Sequence, residues 1–284
     1  MLTSIRSLLA ASALAGAIFA AAPALAQDDT SAVTVSGSAA VVTDYRFRGV
    51  GLSNGDPAIQ GGITVSTAPG FYVGTWGSSL GTGDRLIDLD DGTGTVGSYT
   101  VGSFGGAEID FFGGWAGQLT DSIGVDIGAT YYWYPDASNR DANFGPAGPS
   151  GYPTFTNYGS YDTDVIEVYG KITPTLGPVG LTLAAYYSPD QDSLGGNDNL
   201  YLAADAGIDI PNTPISIAGH VGYTDGALTY TSNGKAWDYS IGASATVLGG
   251  LSLGVAYVGV EGPGGPAWDG VLDDTVVGTL SYSF

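Results

Sequence analysis

Apolar and polar residues alternate along most of this chain with a period of two. The last eleven residues show the pattern most plainly, with Val276, Gly278, Leu280, Tyr282 and Phe284 on one face of an extended segment and hydroxyl residues on the other. A period of two indicates a β-strand, because successive side chains point to opposite faces of a sheet. The same alternation would also suit a half-buried strand of a soluble sandwich, so it does not assign the fold class alone.

Alternating segments of about 9–11 residues are typical of transmembrane strands, and the chain contains twelve of them, at residues 33–48, 57–67, 70–80, 107–118, 122–134, 163–175, 179–189, 199–210, 214–224, 236–247, 251–261 and 274–284. Tight turns follow every second strand. The other connections are longer and reach residues 81–106 and 135–162. Short periplasmic turns and long extracellular loops predict an all-β fold, a single transmembrane antiparallel β-barrel of about twelve strands with both termini on the periplasmic side.

Charged residues provide an independent test of this barrel. When the lipid-facing side of each strand is assigned from its apolar residues alone, the ionisable residues fall on the opposite, inward side. These are Asp44, Arg46, Arg48, Asp110, Asp126, Glu167, Lys171, Asp205, Asp209, His220 and Asp238. A Lys or Arg facing lipid at mid-bilayer would cost about 2–4 kcal/mol, so a membrane barrel explains the separation and a sheet in water does not.

Aromatic residues are predicted to form two girdles on the outward face. Near the extracellular strand ends lie Tyr45, Phe47, Phe111, Tyr131, Trp133, Tyr187, Tyr223, Trp237, Tyr239 and Tyr257. Phe71, Tyr282 and Phe284 lie at the opposite ends and form a sparser periplasmic girdle. Aromatic rings at both membrane interfaces are typical of outer-membrane barrels.

The amino-terminal residues predict export. Residues 1–26 contain one cation, then an apolar run, and end in Ala-Leu-Ala, as a secretory signal peptide does. We therefore expect residues 27–284 to form the barrel. The absence of cysteine excludes disulfides and thiolate metal sites. A net charge of −21 disfavours nucleic acid as a partner and favours cations.

Several motifs resemble those of the TorF porin family. Residues 41–50 read VVTDYRFRGV and residues 56–62 read DPAIQGG, and similar matches occur at 70–78, 131–135, 167–170 and 186–190. The resemblance spans the whole mature chain, and its most specific part is the Asp-Tyr-Arg-Phe-Arg-Gly segment. It implies a barrel in the bacterial outer membrane with a pore function. The chain departs from the family in Gly- and Pro-rich inserts at 81–106 and 135–160.

The predicted lumen suits small solutes or ions. A barrel of eight strands is filled by its own side chains, and a barrel of sixteen to eighteen strands holds a wide channel. A barrel of twelve strands should therefore leave a narrow lumen. The acidic excess of the inward set favours cations. Arg46 and Arg48 are expected near Asp110, Glu167 and Asp238, where they either form a charged constriction or, fully paired, plug the barrel.

Two other function classes remain open from the sequence. A sealed barrel that only anchors acidic loops would share every feature of the fold. An outer-membrane hydrolase would need a serine beside a histidine, and the inward His220 has Ala218 and Gly222 as its neighbours on the same face. We expect no enzymatic activity, no cofactor and no metal site, and we interpret the carboxylates of residues 88–91 as a solvated loop. The expected partners are membrane lipids, small solutes or ions, and the barrel-assembly machinery acting through Phe284.

Overall fold

The computed structural model describes residues 32–81, 85–90, 95–101, 105–135, 137, 163–229, 231, 233–262 and 272–284, with the backbone alone for 85–90 and 95–101. The predicted signal peptide, the side chains of residues 88–91 and most of the segment 135–162 lie outside this description. Among the described residues, no helix is long and apolar enough to span a membrane.

The described residues form sixteen strands, and twelve of these close a barrel in which each strand is antiparallel to its neighbours. In chain order the strands are β1 (Val33–Val42), β2 (Arg46–Phe47), β3 (Val50–Gly51), β4 (Ala58–Thr67), β5 (Phe71–Ser79), β6 (Arg85–Asp90), β7 (Thr95–Val101), β8 (Ala107–Thr120), β9 (Ile123–Trp133), β10 (Val165–Leu176), β11 (Val179–Gln191), β12 (Asn197–Asp209), β13 (Ile215–Gly226), β14 (Lys235–Leu248), β15 (Leu251–Glu261) and β16 (Thr275–Ser283). The order around the wall is β1-β16-β15-β14-β13-β12-β11-β10-β9-β8-β5-β4. The predicted twelve-stranded barrel is confirmed.

The barrel closes where β16 pairs with β1. The register aligns Ser38 with Ser283 and Val42 with Thr279. Beyond the last assigned residue of β16, Phe284 exchanges two backbone hydrogen bonds of 3.0 Å with Gly37, one in each direction. Pairing of the first and last strands closes the sheet, which removes the long open edge that a flat sheet would present.

The outer surface of the wall is apolar, with Val35, Ile127 and Leu202 among its exposed side chains. Most of the predicted aromatic residues also lie on this surface. The exposed ones are Phe71, Phe111, Tyr131, Trp133, Tyr187, Trp237, Tyr257, Tyr282 and Phe284. The residues predicted to face outward in these strands therefore do lie on the outer surface.

The first strand is shorter than predicted. It ends at Val42 and not at residue 48, and the chain then leaves the wall to form the small hairpin of β2 and β3. Tyr45 and Phe47 were predicted to face lipid, and this is wrong. Tyr45 is only 2% exposed and packs against Trp76 with tilted rings whose centroids are 5.6 Å apart. Phe47 packs edge-on against Tyr132, with a centroid distance of 6.0 Å.

The alternating pattern continues beyond Val42, but local hydrogen bonds turn the chain away from the barrel wall. The carboxylate of Asp44 accepts hydrogen bonds from the Ser53 hydroxyl at 2.8 Å and the Gly55 amide at 3.2 Å, which fold residues 44–55 back on themselves. A second difference lies in the predicted loop 81–106, where β6 and β7 pair as a two-stranded sheet separate from the barrel.

Candidate functional site

The segment from residue 43 to residue 57, named here the lumen hairpin, crosses the inside of the barrel. Its Phe47 contacts Tyr132 on β9. A Cβ built on Gly49 at its tip would lie 2.8 Å from Val260 on β15. Strands β9 and β15 are six places apart in a ring of twelve, so the hairpin touches opposite walls.

The tip of the lumen hairpin is a two-residue turn under backbone strain. Arg48 and Gly49 lie between the paired residues Phe47 and Val50 and have φ angles of 50° and 79°. Such a turn needs positive φ at both central positions and is usually built from Asn and Gly. An arginine there costs about 1–3 kcal/mol. Its surroundings must therefore hold it in place.

Two ion pairs fix the arginines of the hairpin. Arg48 donates from Nη2 to both carboxylate oxygens of Glu167 on β10, at 2.9 and 2.7 Å. Arg46 donates from Nε to Asp44 at 2.5 Å and from Nη1 to the carbonyls of Gly49 and Asp273, at 3.1 and 2.9 Å. Arg48 thus ties the hairpin to the wall, while Arg46 holds the hairpin itself together.

Further charged pairs lie along the inner wall. Lys171 lies 3.6 Å from Asp126, whose carboxylate also accepts a hydrogen bond from Tyr72. The Asp209 carboxylate accepts a hydrogen bond of 2.6 Å from Ser216.

His220 is the centre of another inner-wall cluster. It lies between Asp205, 2.7 Å from Nδ1, and Asp238, 2.9 Å from Nε2. Tyr201 hydrogen-bonds both Asp238 and Nε2 of His220, at 3.0 and 2.8 Å.

Glu108 is an inner-wall carboxylate that the sequence interpretation missed. It is buried and accepts a hydrogen bond of 2.7 Å from Tyr45 of the lumen hairpin. It lies two residues before Asp110 on β8 and shares its face of the strand. The same alternation that identified Asp110 could therefore have found it.

Asp110 differs from the other carboxylates of the site. Its side chain is fully buried, and among the described residues neither of its oxygens has a hydrogen-bond partner. Its electrostatic neighbours include Glu108 and Glu167, which are also acidic. A buried carboxylate without a partner destabilises a fold, since the lost hydration is not replaced.

Asp110→Asn is therefore expected to stabilise the barrel by about 1–3 kcal/mol, because it removes a buried carboxyl group that has acidic neighbours and, among the described residues, no hydrogen-bond partner. The measurement is the temperature at which the purified protein loses its compact, heat-modifiable mobility on a gel. Glu167→Gln is the contrasting variant and should lower that temperature, since it breaks the pair with Arg48. A lower temperature for Asp110→Asn would contradict the prediction and show that the carboxylate has a stabilising partner.

The inner wall has an apolar half and a polar half. The apolar half, so named for its buried hydrophobic cluster, is formed by neighbouring strands β15, β16, β1, β4, β5 and β8. The cluster takes in Tyr45 of the hairpin, and the buried carboxylates Glu108 and Asp110 of β8 lie beside it. Strands β9 to β14 carry the polar half. An open cavity remains on this side, and its lining includes Arg48, Tyr186, Asp205, His220 and Ser240.

A row of tyrosines runs around the polar half. Tyr169, Tyr186 and Tyr201 are direct cross-strand neighbours on β10, β11 and β12, with ring centroids 5.7 and 5.8 Å apart. The row continues over Gly128 on β9, where an added Cβ would lie 2.6 Å from the Tyr169 hydroxyl. Glycine therefore provides the space in which the rings lie against the wall.

Among the described residues, no group of three or more His, Cys, Asp or Glu side chains could hold a metal ion. The paired cations and carboxylates, the tyrosine row and the cavity thus form a site suited to a polar or charged solute.

A closed twelve-stranded barrel with an apolar outer face and a polar lumen is the architecture of outer-membrane β-barrel proteins. The chain belongs to the family described as "Bacterial protein of unknown function (Gcw_chp)", whose model matches residues 26–147 and 149–284. The narrower TorF assignment stays a prediction. No curated protein matches the chain.

Solved structures are similar in fold at low sequence identity. KdgM porin has a TM-score of 0.51 and 8% identity, with 88% of this chain and 99% of that chain covered. The COG4313 outer membrane channel from Pseudomonas putida F1 has a TM-score of 0.47 and 10% identity, covering 91% and 99%. LpxR from Salmonella typhimurium has a TM-score of 0.46 and 10% identity, covering 88% and 99%. At these identities the likeness to the porin concerns the fold.

Proposed function

We propose that this protein is a narrow diffusion channel of the bacterial outer membrane, through which small solutes or ions pass with a preference for cations. The observation that carries the proposal is the asymmetry of the lumen. The hairpin packs Tyr45 into the buried cluster on the apolar half of the wall, and the polar half keeps an open cavity beside Arg48. A barrel sealed by its core would need no such polar side.

The cation preference follows from the charges that face the lumen. Arg46, Arg48 and Lys171 are each paired with one carboxylate, at Asp44, Glu167 and Asp126. Beyond these pairs, the less deeply buried carboxylates Asp205 and Asp209 remain together with Asp238, and His220 lies between Asp205 and Asp238. An excess of carboxylates attracts cations and repels anions.

A hydrolase is less well supported by the site. The register places Ser240 opposite His220, which is the arrangement that a serine nucleophile would need. However, Nε2 of His220 interacts with Tyr201 and Asp238. A general base must reach the nucleophile with a free ring nitrogen. We therefore infer that the histidine cluster binds and orders passing solutes, and that the protein is not an enzyme.

The other partners proposed are membrane lipids around the apolar outer face and the barrel-assembly machinery, which would read the strand ending at Phe284. Nucleic acid is not expected as a partner, given the net charge of −21.

The channel is tested with the Arg46→Ser/Arg48→Ser double variant and the native protein in planar bilayers. Reversal potentials under a salt gradient should show cation preference in the native channel. The variant should show a larger preference, because it loses two lumen cations, and a larger conductance, because the hairpin loses its tie to Glu167. Lys235→Ser is the matched control, since Lys235 pairs with Asp225 at a half-exposed position. Anion preference, or no conductance in either protein, would leave the sealed barrel as the better interpretation.

A further inference from the structure

We propose that the place where the Arg48 side chain lies is a binding site for solutes with a guanidinium group, and that Arg48 is its tethered occupant. The proposal rests on the channel function above and names the class of cation that the lumen recognises. It follows from the contacts around Arg48, from the strain of the residue and from the adjoining cavity.

The carboxylate of the site is held by the wall and does not depend on Arg48. Besides the two hydrogen bonds from Arg48, Glu167 accepts one from the Tyr132 hydroxyl at 3.0 Å and one from Ser188 at 3.2 Å. Its side chain is 1% exposed. A carboxylate fixed in this way presents the oxygens that a planar guanidinium recognises.

Two aromatic rings of the wall complete the site. The Arg48 Cζ atom lies 4.1 Å from the ring centroid of Tyr201 and 5.6 Å from that of Tyr186. Tyr201 is itself oriented by hydrogen bonds to Asp238 and His220. Stacking over aromatic faces beside a carboxylate favours guanidinium over a compact ammonium ion, because the guanidinium is planar and more weakly hydrated.

Arg48 fills this site imperfectly. Its backbone has a φ of 50°, a strained value for a non-glycine residue. Its Nη1 atom is buried and, among the described residues, has no hydrogen-bond partner. A free solute carries no such backbone constraint and can turn all its donors toward acceptors. The tether gives Arg48 an effective concentration of the order of millimolar, so a solute at similar concentration can compete.

A solute can reach the site from the adjoining open cavity, which Arg48, Tyr186 and Tyr201 line together with Asp205 and Asp238. The acidic lining concentrates cations there. Displacement of Arg48 would also remove the tie between the lumen hairpin and Glu167. Binding of the solute is thereby coupled to release of the hairpin.

The experiment measures binding of guanidinium chloride, at low millimolar concentration, to the purified full-length barrel by calorimetry. Arg48→Gly vacates the site and suits the positive φ of the turn, so this variant should bind guanidinium at least about tenfold more tightly than the native protein, in which Arg48 competes. Methylammonium and potassium should bind the variant about tenfold more weakly than guanidinium. Equal affinity for the three cations would overturn the proposal.

Two further variants assign the binding to this site. Adding Tyr201→Leu or Glu167→Gln to Arg48→Gly should each abolish most of the guanidinium affinity, and unchanged affinity in either double variant would show that the cation binds elsewhere. Tyr201→Leu keeps every charge, so it separates stacking from general electrostatic attraction. The native protein gives a second measurement that needs no variant: guanidinium should change its bilayer current where methylammonium does not, and equal effects would oppose the proposal.

The outcomes also separate the site from the channel. Guanidinium binding to a protein that carries no current would keep the site and remove the channel. A cation-conducting barrel whose Arg48→Gly variant does not bind guanidinium would keep the channel and remove the site.

Discussion

Gly49→Ala is expected to displace the lumen hairpin and raise the conductance of the channel. An added Cβ at Gly49 would lie 2.7 Å from the Gly259 carbonyl oxygen and 2.8 Å from Val260 Cβ. Both belong to the wall, so the hairpin tip has to move. Overpacking of this kind costs about 1–3 kcal/mol, which raises the population with a displaced tip about 5- to 150-fold. Single-channel recording in planar bilayers measures the change as longer or more frequent open periods.

Gly55→Ala is the matched control for Gly49→Ala. Gly55 has the same φ of 79° and lies in the same hairpin, but an added Cβ there would meet nothing within 4 Å. Both variants therefore strain the backbone equally, and only Gly49→Ala collides with the wall. Similar currents from the two variants would show that the tip does not control the lumen, and the hairpin would then be a fixed part of the core.

Deletion of Phe284, or Phe284→Asp, should reduce the amount of folded barrel in the outer membrane several-fold. Phe284 adds two backbone hydrogen bonds of 3.0 Å to the closing seam, both with Gly37. Its ring is 65% exposed on the lipid-facing surface and lies 6.4 Å from Tyr282. Unpaired backbone groups at a seam in lipid cost several kcal/mol each, and a carboxylate at this interface removes an aromatic anchor.

The readout is the heat-modifiable band in the outer-membrane fraction. Phe284→Tyr is the control and should assemble normally, because it keeps the ring and the backbone hydrogen bonds. Normal levels of heat-modifiable protein after the deletion would show that the seam formed by residues 38–42 and 279–283 closes the barrel unaided.

The arginines were expected either to form a constriction or to plug the barrel, and the lumen hairpin that carries them has features of both. Arg48 is paired with Glu167 as a plug requires, yet the turn that carries it is strained and adjoins an open cavity. The body of the hairpin is packed into the buried cluster through Tyr45, whereas its tip is held to β10 by the Arg48–Glu167 pair against about 1–3 kcal/mol of backbone strain. The tip is therefore easier to release than the packed body. This difference is why conductance measurements on hairpin variants are decisive for the function.

The wall of the barrel could be predicted from the sequence because lipid acts on every residue of a strand separately. Outward positions such as Ile127 and Leu202 must be apolar, and inward positions such as Asp126 and Asp205 escape that requirement. The alternation therefore records the face of each side chain within a few residues of chain. Twelve strands, their order and the polarity of the lumen follow from such local information.

Only the tertiary structure decided where the first strand stops and what the lumen contains. Residues 43–48 continue the period of two, so nothing local separates a lipid-facing Tyr45 from one packed on Trp76. The distinction depends on partners far along the chain, such as Glu167 for Arg48 and Glu108 for Tyr45. Alternation specifies a face, whereas pairing across a lumen depends on which strands the closed ring brings opposite each other.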